Sequence, residues 1–275
     1  PEAEKQLHDF LKLNQKENSN MGYLPKDKDT PDAWIKRHPD LIRLTGIHPF
    51  NAEAPLSKLV NCGLHTPTGL HYVRNHGPVP KLDWNTHKLS IGGLVENPKV
   101  FSMDELVQRF KSYTLPVSFH CAGNRRKELN MIKRSTGFNW GPSAVSCAIW
   151  TGIRLCDLLK VVMPNESKSK YVVFKGCDDL PRGHYGTSIT YEQAIDPNND
   201  ILIAYEMNGE KLHPDHGFPI RVLIPGFIGG RMVKWLKEIE LTEKESDSFY
   251  HYNDNRVYPP HIDTSNLQSS KYYKH

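Results

Sequence analysis

Apolar residues in this chain fall in short runs that Gly, Pro, Asn and Asp interrupt. Runs of this kind are typical of short strands connected by turns. The runs at 115–119, 171–174 and 88–94 predict strands, the first two of them buried. Spaced apolar positions predict one amphipathic helix over residues 1–15, namely Leu7, Phe10, Leu11 and Leu13. The pattern therefore predicts a mixed α+β fold that is rich in sheet.

Local signals predict three further elements. Ser102, followed by Glu105 three residues later, forms a capping box and predicts a helix from there to about Phe110. A second helix is expected over 156–162. The Asn208-Gly209 pair between two apolar runs predicts a β-hairpin, because both residues tolerate the positive φ angles of a tight hairpin turn.

Composition narrows the class of protein. The chain has 275 residues, of which 38% are hydrophobic and 24% charged, as in a soluble globular protein. No apolar run is long enough to span a membrane, and no signal-peptide pattern precedes the first helix. The formal charge of +4 is too small to indicate a nucleic-acid partner.

The five cysteines are an odd number without Cys-x-x-Cys spacing, at Cys62, Cys121, Cys147, Cys156 and Cys177. This pattern argues against a disulfide framework or a zinc site and favours a reducing, cytoplasmic compartment. Cys147, Cys156 and Cys177 lie in or beside apolar runs, so they are interpreted as packing residues. Cys121 alone has several cationic neighbours in the sequence.

The run from Ser118 to Lys127 has the strongest chemical signal. Cys121 follows a predicted strand, and Arg125, Arg126 and Lys127 come soon after it. Neighbouring cations lower the pKa of a thiol and so favour the thiolate, which is the form that binds metals or acts as a nucleophile. Arginine also suits the recognition of oxyanions. On the residues alone, a strand end followed by a solvated basic turn explains the pattern equally well.

Polar residues cluster in three other segments. Arg74 and His76 alternate, so an extended backbone would place both on one face as a receptor for an oxyanion. Asp178 ends a predicted strand, where it could hold a ligand or cap a turn. The segment 216–234 combines glycines with polar side chains that suit a phosphate group, namely His216, Arg221, Arg231 and Lys234. Each of these groups could also be an ordinary surface residue.

Several runs resemble the sulfite oxidase family of molybdenum enzymes. Cys-Ala-Gly-Asn-Arg-Arg at 121–126, followed by the 137–141 run Gly-Phe-Asn-Trp-Gly, resembles the segment that supplies the molybdenum ligand. The runs 127–131 and 138–141 resemble the eukaryotic assimilatory nitrate reductase branch. Sulfite oxidases have a tyrosine where this chain has Asn255. The resemblance covers roughly residues 43–263.

The resemblance implies a sulfite oxidase-type, molybdopterin-binding fold and a set of site residues. Cys121 would be the metal ligand. Nitrate would be held by Arg126 and Arg74, with Lys127 as a further candidate, beside Trp140 and Asn255. The pterin would contact Tyr72, Arg74, Asn75, His76, Asp178, His216, Arg221, Arg231, Met232 and Lys234.

The resemblance also implies an organisation and a reaction. Residues 1–40 are expected to wrap a molybdenum-cofactor domain at 41–263, and residues 264–275 to begin a truncated dimerisation region. The expected reaction is the reduction of nitrate to nitrite. The haem domain of the full-length enzyme would donate electrons, haem and FAD being expected only in domains outside this chain. The full-length protein is expected to be a cytoplasmic homodimer.

Three alternatives compete with this interpretation. The chain could be a sulfite oxidase or a sulfoxide reductase of the same family. It could be a non-catalytic module that binds phosphate-bearing ligands. It could also be a hydrolase that uses Cys121 as nucleophile with His120 or His76 as base.

Overall fold

A computed structural model describes residues 2–255 of the chain. The predictions for residues 256–275 lie outside the described residues. These predictions include the end of the 41–263 domain and the 264–275 region. No helix between residues 2 and 255 is long and apolar enough to cross a lipid bilayer.

The helices are short after the first one. The α-helices are α1 (Glu2–Ser19), α2 (Leu56–Cys62), α3 (Met103–Arg109), α4 (Arg126–Leu129), α5 (Leu155–Lys160) and α6 (Tyr191–Ile195). Single 3-10 turns cover Pro25–Asp27, Thr68–Leu70, Pro197–Asn199, Pro214–His216 and Gly229–Arg231, and a π-helical turn covers Tyr250–Asp254.

The strands are β1 (Gly22–Tyr23), β2 (Lys36–Arg37), β3 (Ile42–Arg43), β4 (Asn51–Glu53), β5 (Val73–Arg74), β6 (Lys88–Gly93), β7 (Lys99–Ser102), β8 (Ser112–His120), β9 (Val145–Arg154), β10 (Tyr171–Gly176), β11 (Gly186–Thr190), β12 (Leu202–Met207), β13 (Glu210–Lys211), β14 (Arg221–Leu223) and β15 (Leu236–Thr242). Short helices and mostly antiparallel sheets occur together in this chain, so the predicted mixed, sheet-rich α+β class is confirmed.

Two larger sheets form the frame. The first has the order β11-β10-β15-β6-β7, in which only the β15–β6 pair is parallel. The second has the order β13-β12-β9-β8, with β14 also paired to β12. A three-stranded sheet, β3-β4-β5, and the β1-β2 pair complete the architecture. The largest apolar core joins the first sheet, the helices α3, α5 and α6, and strands β9, β12 and β14 of the second sheet.

Several local predictions are confirmed. Ser102 caps α3 with the complete capping box, and the Asn208-Gly209 turn connects β12 to β13. The helix predicted over 156–162 runs from Leu155 to Lys160, and the N-terminal helix extends to Ser19. These elements depend on residues only a few positions apart, so the sequence determines them well.

The burial predicted for the strand at 115–119 is wrong in one respect. The strand belongs to β8, but β8 pairs only with β9 and forms an edge of the second sheet. Val117 and Phe119 are buried, whereas Pro116, Ser118 and His120 are exposed. An edge strand with one face on the core shows this alternation. The last residue of β8, His120, pairs with Val145, and Cys121 follows it directly in the chain.

The N-terminal segment contacts the rest of the fold through polar groups. The Oδ1 atoms of Asn14 and Asn18 in α1 accept hydrogen bonds from the N–H groups of Thr68 and Gly69, at 2.9 and 3.0 Å. Arg37 in β2 is buried and forms ion pairs with carboxylates from two distant parts of the chain. These contacts tie residues 2–40 to the 3-10 turns beside the site described below.

Candidate active site

A cavity of about 580 Å³ opens where the ends of β5 and β8 meet the 214–216 and 228–235 segments. The loop at 135–140 and the π-helical turn before Asn255 complete its walls. Twelve of the residues predicted for the site line this cavity, namely Tyr72, Arg74, His76, Cys121, Arg126, Trp140, Asp178, His216, Arg221, Met232, Lys234 and Asn255. The structure therefore gathers residues that span more than 180 positions of the sequence.

Two predicted site residues, Asn75 and Arg231, do not line the cavity. Asn75 is buried behind it, where its Nδ2 donates to Asp215 Oδ1 at 2.9 Å. The Arg231 guanidinium lies 2.8 Å from both Thr187 Oγ1 and His251 Nδ1. Asn75 therefore contacts a residue of the cavity lining, whereas Thr187 and His251 beside Arg231 are not part of that lining.

Cys121 lies at the end of β8 with its thiol in the cavity wall. Its N–H donates to the Ala144 carbonyl at 3.0 Å, and the N–H of Gly123 lies 3.5 Å from its Sγ. Burial raises the pKa of this thiol, although the Gly123 N–H, Arg74 and Arg126 act in the opposite direction. The expected lowering of the thiol pKa by cations is therefore outweighed in the protein alone. A bound metal cation would favour the thiolate directly.

The alternative of a cysteine-nucleophile hydrolase finds no support in this geometry. Within residues 2–255, no imidazole is hydrogen-bonded to the Cys121 sulfur. The Nδ1 of His120 instead lies 2.9 Å from the Cys121 carbonyl, and His76 pairs with Asp254. Without a base beside it, a buried thiol with a raised pKa is a poor nucleophile.

Arg126 and Arg125 are neighbours in sequence but have different environments. Arg126 Nη1 donates to the Phe138 carbonyl at 3.1 Å. A Cβ at Gly123 or Gly137 would lie only 2.5 or 2.7 Å from the same nitrogen, so both glycines are needed for its position. Arg125 is exposed and pairs with Glu128, and Lys127 is also exposed outside the cavity lining.

Arg74 approaches the cavity from the end of β5. Its Nη1 donates to the Asn75 carbonyl at 2.6 Å, and its guanidinium lies 4.8 Å from the centre of the Phe138 ring. Burial lowers the pKa of Arg74. Since an arginine pKa begins far above neutrality, the side chain remains a fixed cation beside Cys121.

The wall formed by the 214–235 segment contains a buried donor, the Nε of Arg221, that lacks a partner. Arg221 is buried, and its Nη1 and Nη2 donate to the carbonyls of His216 and Met232 at 3.0 and 3.2 Å. Among the described residues, the buried Arg221 Nε and His71 Nε2 have no hydrogen-bond partner. Both residues line the cavity. Unpaired buried polar groups are costly, so this wall fits a ligand with hydrogen-bonding, anionic groups.

Lys234 joins this wall to the end of β5. Its Nζ donates to the carbonyls of Arg74 and Asp215, at 3.1 and 2.7 Å, and to Asn75 Oδ1. Burial lowers the pKa of Lys234 to about 7. Three acceptors nevertheless match the three donors of an ammonium group, and this geometry favours the charged form. The Asp178 carboxylate also lines the cavity, and its Oδ1 accepts the Tyr185 N–H at 3.2 Å, while its contact with a ligand stays a prediction.

The sequence analysis missed four titratable residues of the lining: His71, Tyr185, Asp215 and Asp254. Tyr185 donates to the Gly230 carbonyl and accepts from Asn255 Nδ2, both at 2.7 Å. Asp254 Oδ2 lies 3.0 Å from His76 Nε2. Asp254 stands beside a predicted site residue, which is a signal that could have found it. Tyr185 follows no recognisable motif.

The pair of His76 and Asp254 predicts an acid-sensitive stability. Burial lowers the pKa of His76 from 6.5 to about 4, so between these pH values the unfolded chain binds more protons than the folded chain. The free energy of unfolding should therefore decrease as the pH falls, by about 2 kcal/mol from His76 between pH 7.5 and 5. The melting temperature of His76→Gln should decrease less over this interval than that of the wild type. The exposed His8→Gln variant should behave as the wild type, and equal pH dependence in all three proteins would contradict the prediction.

Comparisons with known proteins agree with this geometry. The family described as "Oxidoreductase molybdopterin binding domain" matches residues 76–250. Over 243 residues, the chain is 55% identical to a nitrate reductase [NAD(P)H] of Hordeum vulgare and 56% identical to a nitrate reductase [NADH] of Solanum lycopersicum. These alignments cover 87% and 86% of this chain but 27% of each relative, so the chain spans little more than a quarter of their length.

The fold also resembles a solved structure. The sulfane dehydrogenase SoxCD from Paracoccus pantotrophus superposes with a TM-score of 0.64 and 25% sequence identity. The match covers 86% of this chain and 56% of the other one. Together with the matching family, this similarity confirms the fold implied by the sequence motifs.

Proposed function

Because this chain belongs to the family of oxidoreductase molybdopterin-binding domains, we propose that it is the part of a nitrate reductase at which nitrate is reduced to nitrite. One observation carries the proposal. Cys121, Arg74 and Arg126 meet in one cavity, in a chain about 55% identical to named nitrate reductases. The net reaction consumes two electrons and two protons and releases nitrite and water.

The residues of the cavity fit molybdopterin. The unpaired Arg221 Nε–H suits an anionic pterin tail, and Lys234 adds positive charge to the same wall. Gly229 makes room for the Tyr72 side chain in the cavity wall, since a Cβ there would lie 2.5 Å from Tyr72 Oη. We propose that the Cys121 thiolate holds the molybdenum, because soft thiolate sulfur suits such a metal. When bound, the cofactor supplies the two-electron oxygen-atom transfer that no amino-acid side chain provides.

The side chains near Cys121 would bind and orient nitrate. Arg126 and Arg74 supply two fixed cations in a partly buried space, where charge is weakly screened. Asn255 uses one amide hydrogen for Tyr185, so its second hydrogen is available to a nitrate oxygen. Trp140 is buried in the wall, where it limits the volume open to water. These groups would concentrate a weakly binding anion and hold one of its oxygens towards the metal.

Arg126→Ala is expected to raise the KM for nitrate and to lower kcat/KM about ten- to a hundredfold, as the loss of one charge-assisted contact of roughly 1.5–3 kcal/mol requires. Its melting temperature should change little, because the side chain is only partly buried. Viologen-driven nitrite production and thermal melting measure both effects.

Arg125→Ala is the matched control for Arg126→Ala. Arg125 has the same side chain one position earlier, but it is exposed and paired with Glu128. Its KM for nitrate should equal that of the wild type. A stability loss in Arg126→Ala with an unchanged KM would show that Arg126 supports the fold and does not bind nitrate.

A pair of assays tests the proposed function against its alternatives. Nitrate reduction by reduced viologen without sulfite oxidation supports it, and the opposite result favours a sulfite oxidase. Sulfoxide reduction without nitrate reduction favours a sulfoxide reductase. About one molybdenum per chain, with a fluorescent pterin after acid release, excludes the non-catalytic phosphate-binding module.

The resemblance supports further proposals about the longer protein. We propose that a haem domain donates the electrons, that the full-length protein is a homodimer and that it works in the cytoplasm. The five cysteines of the chain are free thiols, which agrees with a reducing compartment.

A further inference from the structure

Three large apolar side chains project into solvent close to the cavity. Leu129, Met131 and Ile132 have 60%, 85% and 89% of their surfaces exposed. They belong to the segment 125–134, which begins just before α4 and which we call the 125–134 surface. Contiguous exposed apolar side chains of this kind, surrounded by polar ones, mark interaction sites.

The 125–134 surface also concentrates the positive charge of the chain. It contains five cations, from three arginines and two lysines, of which Arg126 faces the cavity, and one carboxylate, that of Glu128, which pairs with Arg125. Its formal charge of +4 equals that of the whole chain, which has 35 cations and 31 carboxylates. The other 265 residues are therefore neutral in sum, and an acidic partner would be attracted mainly to this surface.

The 125–134 surface is continuous with the cavity wall. The chain leaves it at Arg134 and forms the cavity lining from Ser135 to Phe138. Asn130 holds the connecting loop in place, since its Nδ2 donates to Asn139 Oδ1 at 2.6 Å and its Oδ1 accepts the Ser135 N–H at 2.8 Å. A partner bound to the exposed side would therefore lie beside the mouth of the cavity.

We propose that the 125–134 surface is the docking site for an acidic electron-carrying protein or domain. This inference rests on the proposed function, because nitrate reduction requires two electrons to reach the cavity in every turnover. A partner with carboxylates around an apolar centre would complement the basic residues and cover Leu129, Met131 and Ile132. Steering of nitrate alone would account for the charge but would leave the apolar side chains unexplained. A small, partly electrostatic contact is typical of transient electron-transfer complexes.

The variant Ile132→Asp tests the proposal, since it removes an apolar contact and adds a repulsive charge without disturbing a buried group. Val60→Asp is the matched control, because Val60 is 70% exposed on α2, outside the cavity lining. Nitrite production by the cofactor-loaded chain is measured with two donors. One is reduced methyl viologen, and the other is reduced soluble cytochrome b5, a small acidic haem protein.

We expect Ile132→Asp to lower kcat/KM for the cytochrome about tenfold, the scale of one important interface contact. Viologen-driven turnover should stay unchanged in all proteins. The cytochrome-driven rate of the wild type should fall as salt rises, because the attraction is between opposite charges.

The outcomes separate the docking proposal from the proposed function. If the cofactor-loaded wild type does not reduce nitrate with reduced viologen, the proposed function is wrong. Normal viologen turnover with equal cytochrome-driven rates in Ile132→Asp and Val60→Asp overturns the docking site. A raised KM for nitrate in the viologen assay of Ile132→Asp would also overturn it, in favour of nitrate steering. Self-association of the wild type that Ile132→Asp abolishes would overturn it in favour of a second copy of the chain.

Discussion

Cys121→Ala is expected to reduce nitrate reduction to the background of the assay while the pterin remains bound. The substitution removes the only cysteine sulfur among the described residues that line the cavity. Alanine cannot replace a thiolate as a metal ligand, so the proposed site loses its protein-derived bond to the metal. The groups proposed to hold the pterin tail are untouched, because Arg221 and Lys234 lie on the 214–235 side of the cavity.

The measurement has two parts. Viologen-driven nitrite production reports activity, and the fluorescence of the oxidised pterin after acid release reports cofactor content. Cys121→Ser is a useful second variant, because its oxygen keeps the size of the side chain but is a harder ligand than sulfur. It should also lose activity and retain the pterin.

Cys147→Ala is the matched control for Cys121→Ala. Cys147 is a buried cysteine in β9, the strand paired with β8, but it does not line the cavity. Its variant should keep nitrate reduction and pterin content, with a small loss of stability from the removed sulfur. Simultaneous loss of pterin and activity in Cys121→Ala would contradict separate roles for the metal ligand and the tail-binding groups. Full activity in Cys121→Ala would contradict the proposed metal site itself.

Arg37→Met is expected to cause the largest loss of stability. Arg37 is 1% exposed, and its guanidinium nitrogens lie 2.8–3.0 Å from carboxylate oxygens of Asp27, Asp32 and Asp215. Burial opposes its charge, but Asp215 and Asp32 raise the pKa of Arg37 above its usual value. Removing one partner of a buried ion pair leaves uncompensated charge and costs about 3–5 kcal/mol.

Arg37→Met should also disturb the cavity, because its partner Asp215 is part of the cavity lining. Asp215 lines it, accepts the Asn75 amide at 2.9 Å and offers its carbonyl to Lys234 at 2.7 Å. Burial alone would raise the pKa of Asp215, and Arg37 lowers it instead, so the variant removes the group that keeps this carboxylate ionised. We therefore expect Arg37→Met to retain less pterin as well as to melt about 10 °C lower, at the few degrees per kcal/mol typical of chains this long.

Lys160→Met provides the comparison for Arg37→Met. Lys160 forms an ion pair with Asp157 at 2.9 Å, but its side chain is 72% exposed. Exposed ion pairs contribute little to the free energy of unfolding, so this variant should melt within about 2 °C of the wild type. If the two variants melted alike, the buried network around Arg37 would not be a major source of stability. Pterin content at equal folded fraction then shows whether the network also shapes the cavity.

Some of the site was predictable from the sequence because its signals are local. The 121–126 run places a thiol and two arginines directly after a strand, and the family resemblance follows from such contiguous residues. The segments around Arg74 and Lys234 were predicted in the same way, and both line the cavity. Tyr185 and Asp215 were missed because neither follows a local pattern that points to a ligand.

The capping box at Ser102, the Asn208-Gly209 hairpin and the cysteine-arginine run were determined by the sequence itself, since each depends on a few adjacent residues. Only the tertiary structure decided which cations face the cavity. Arg126 turns inwards while Arg125 pairs with Glu128 at the surface, and Lys234 lines the cavity while Arg231 contacts His251. The physical reason is that side-chain direction and burial depend on strand pairing and packing between residues far apart in the chain.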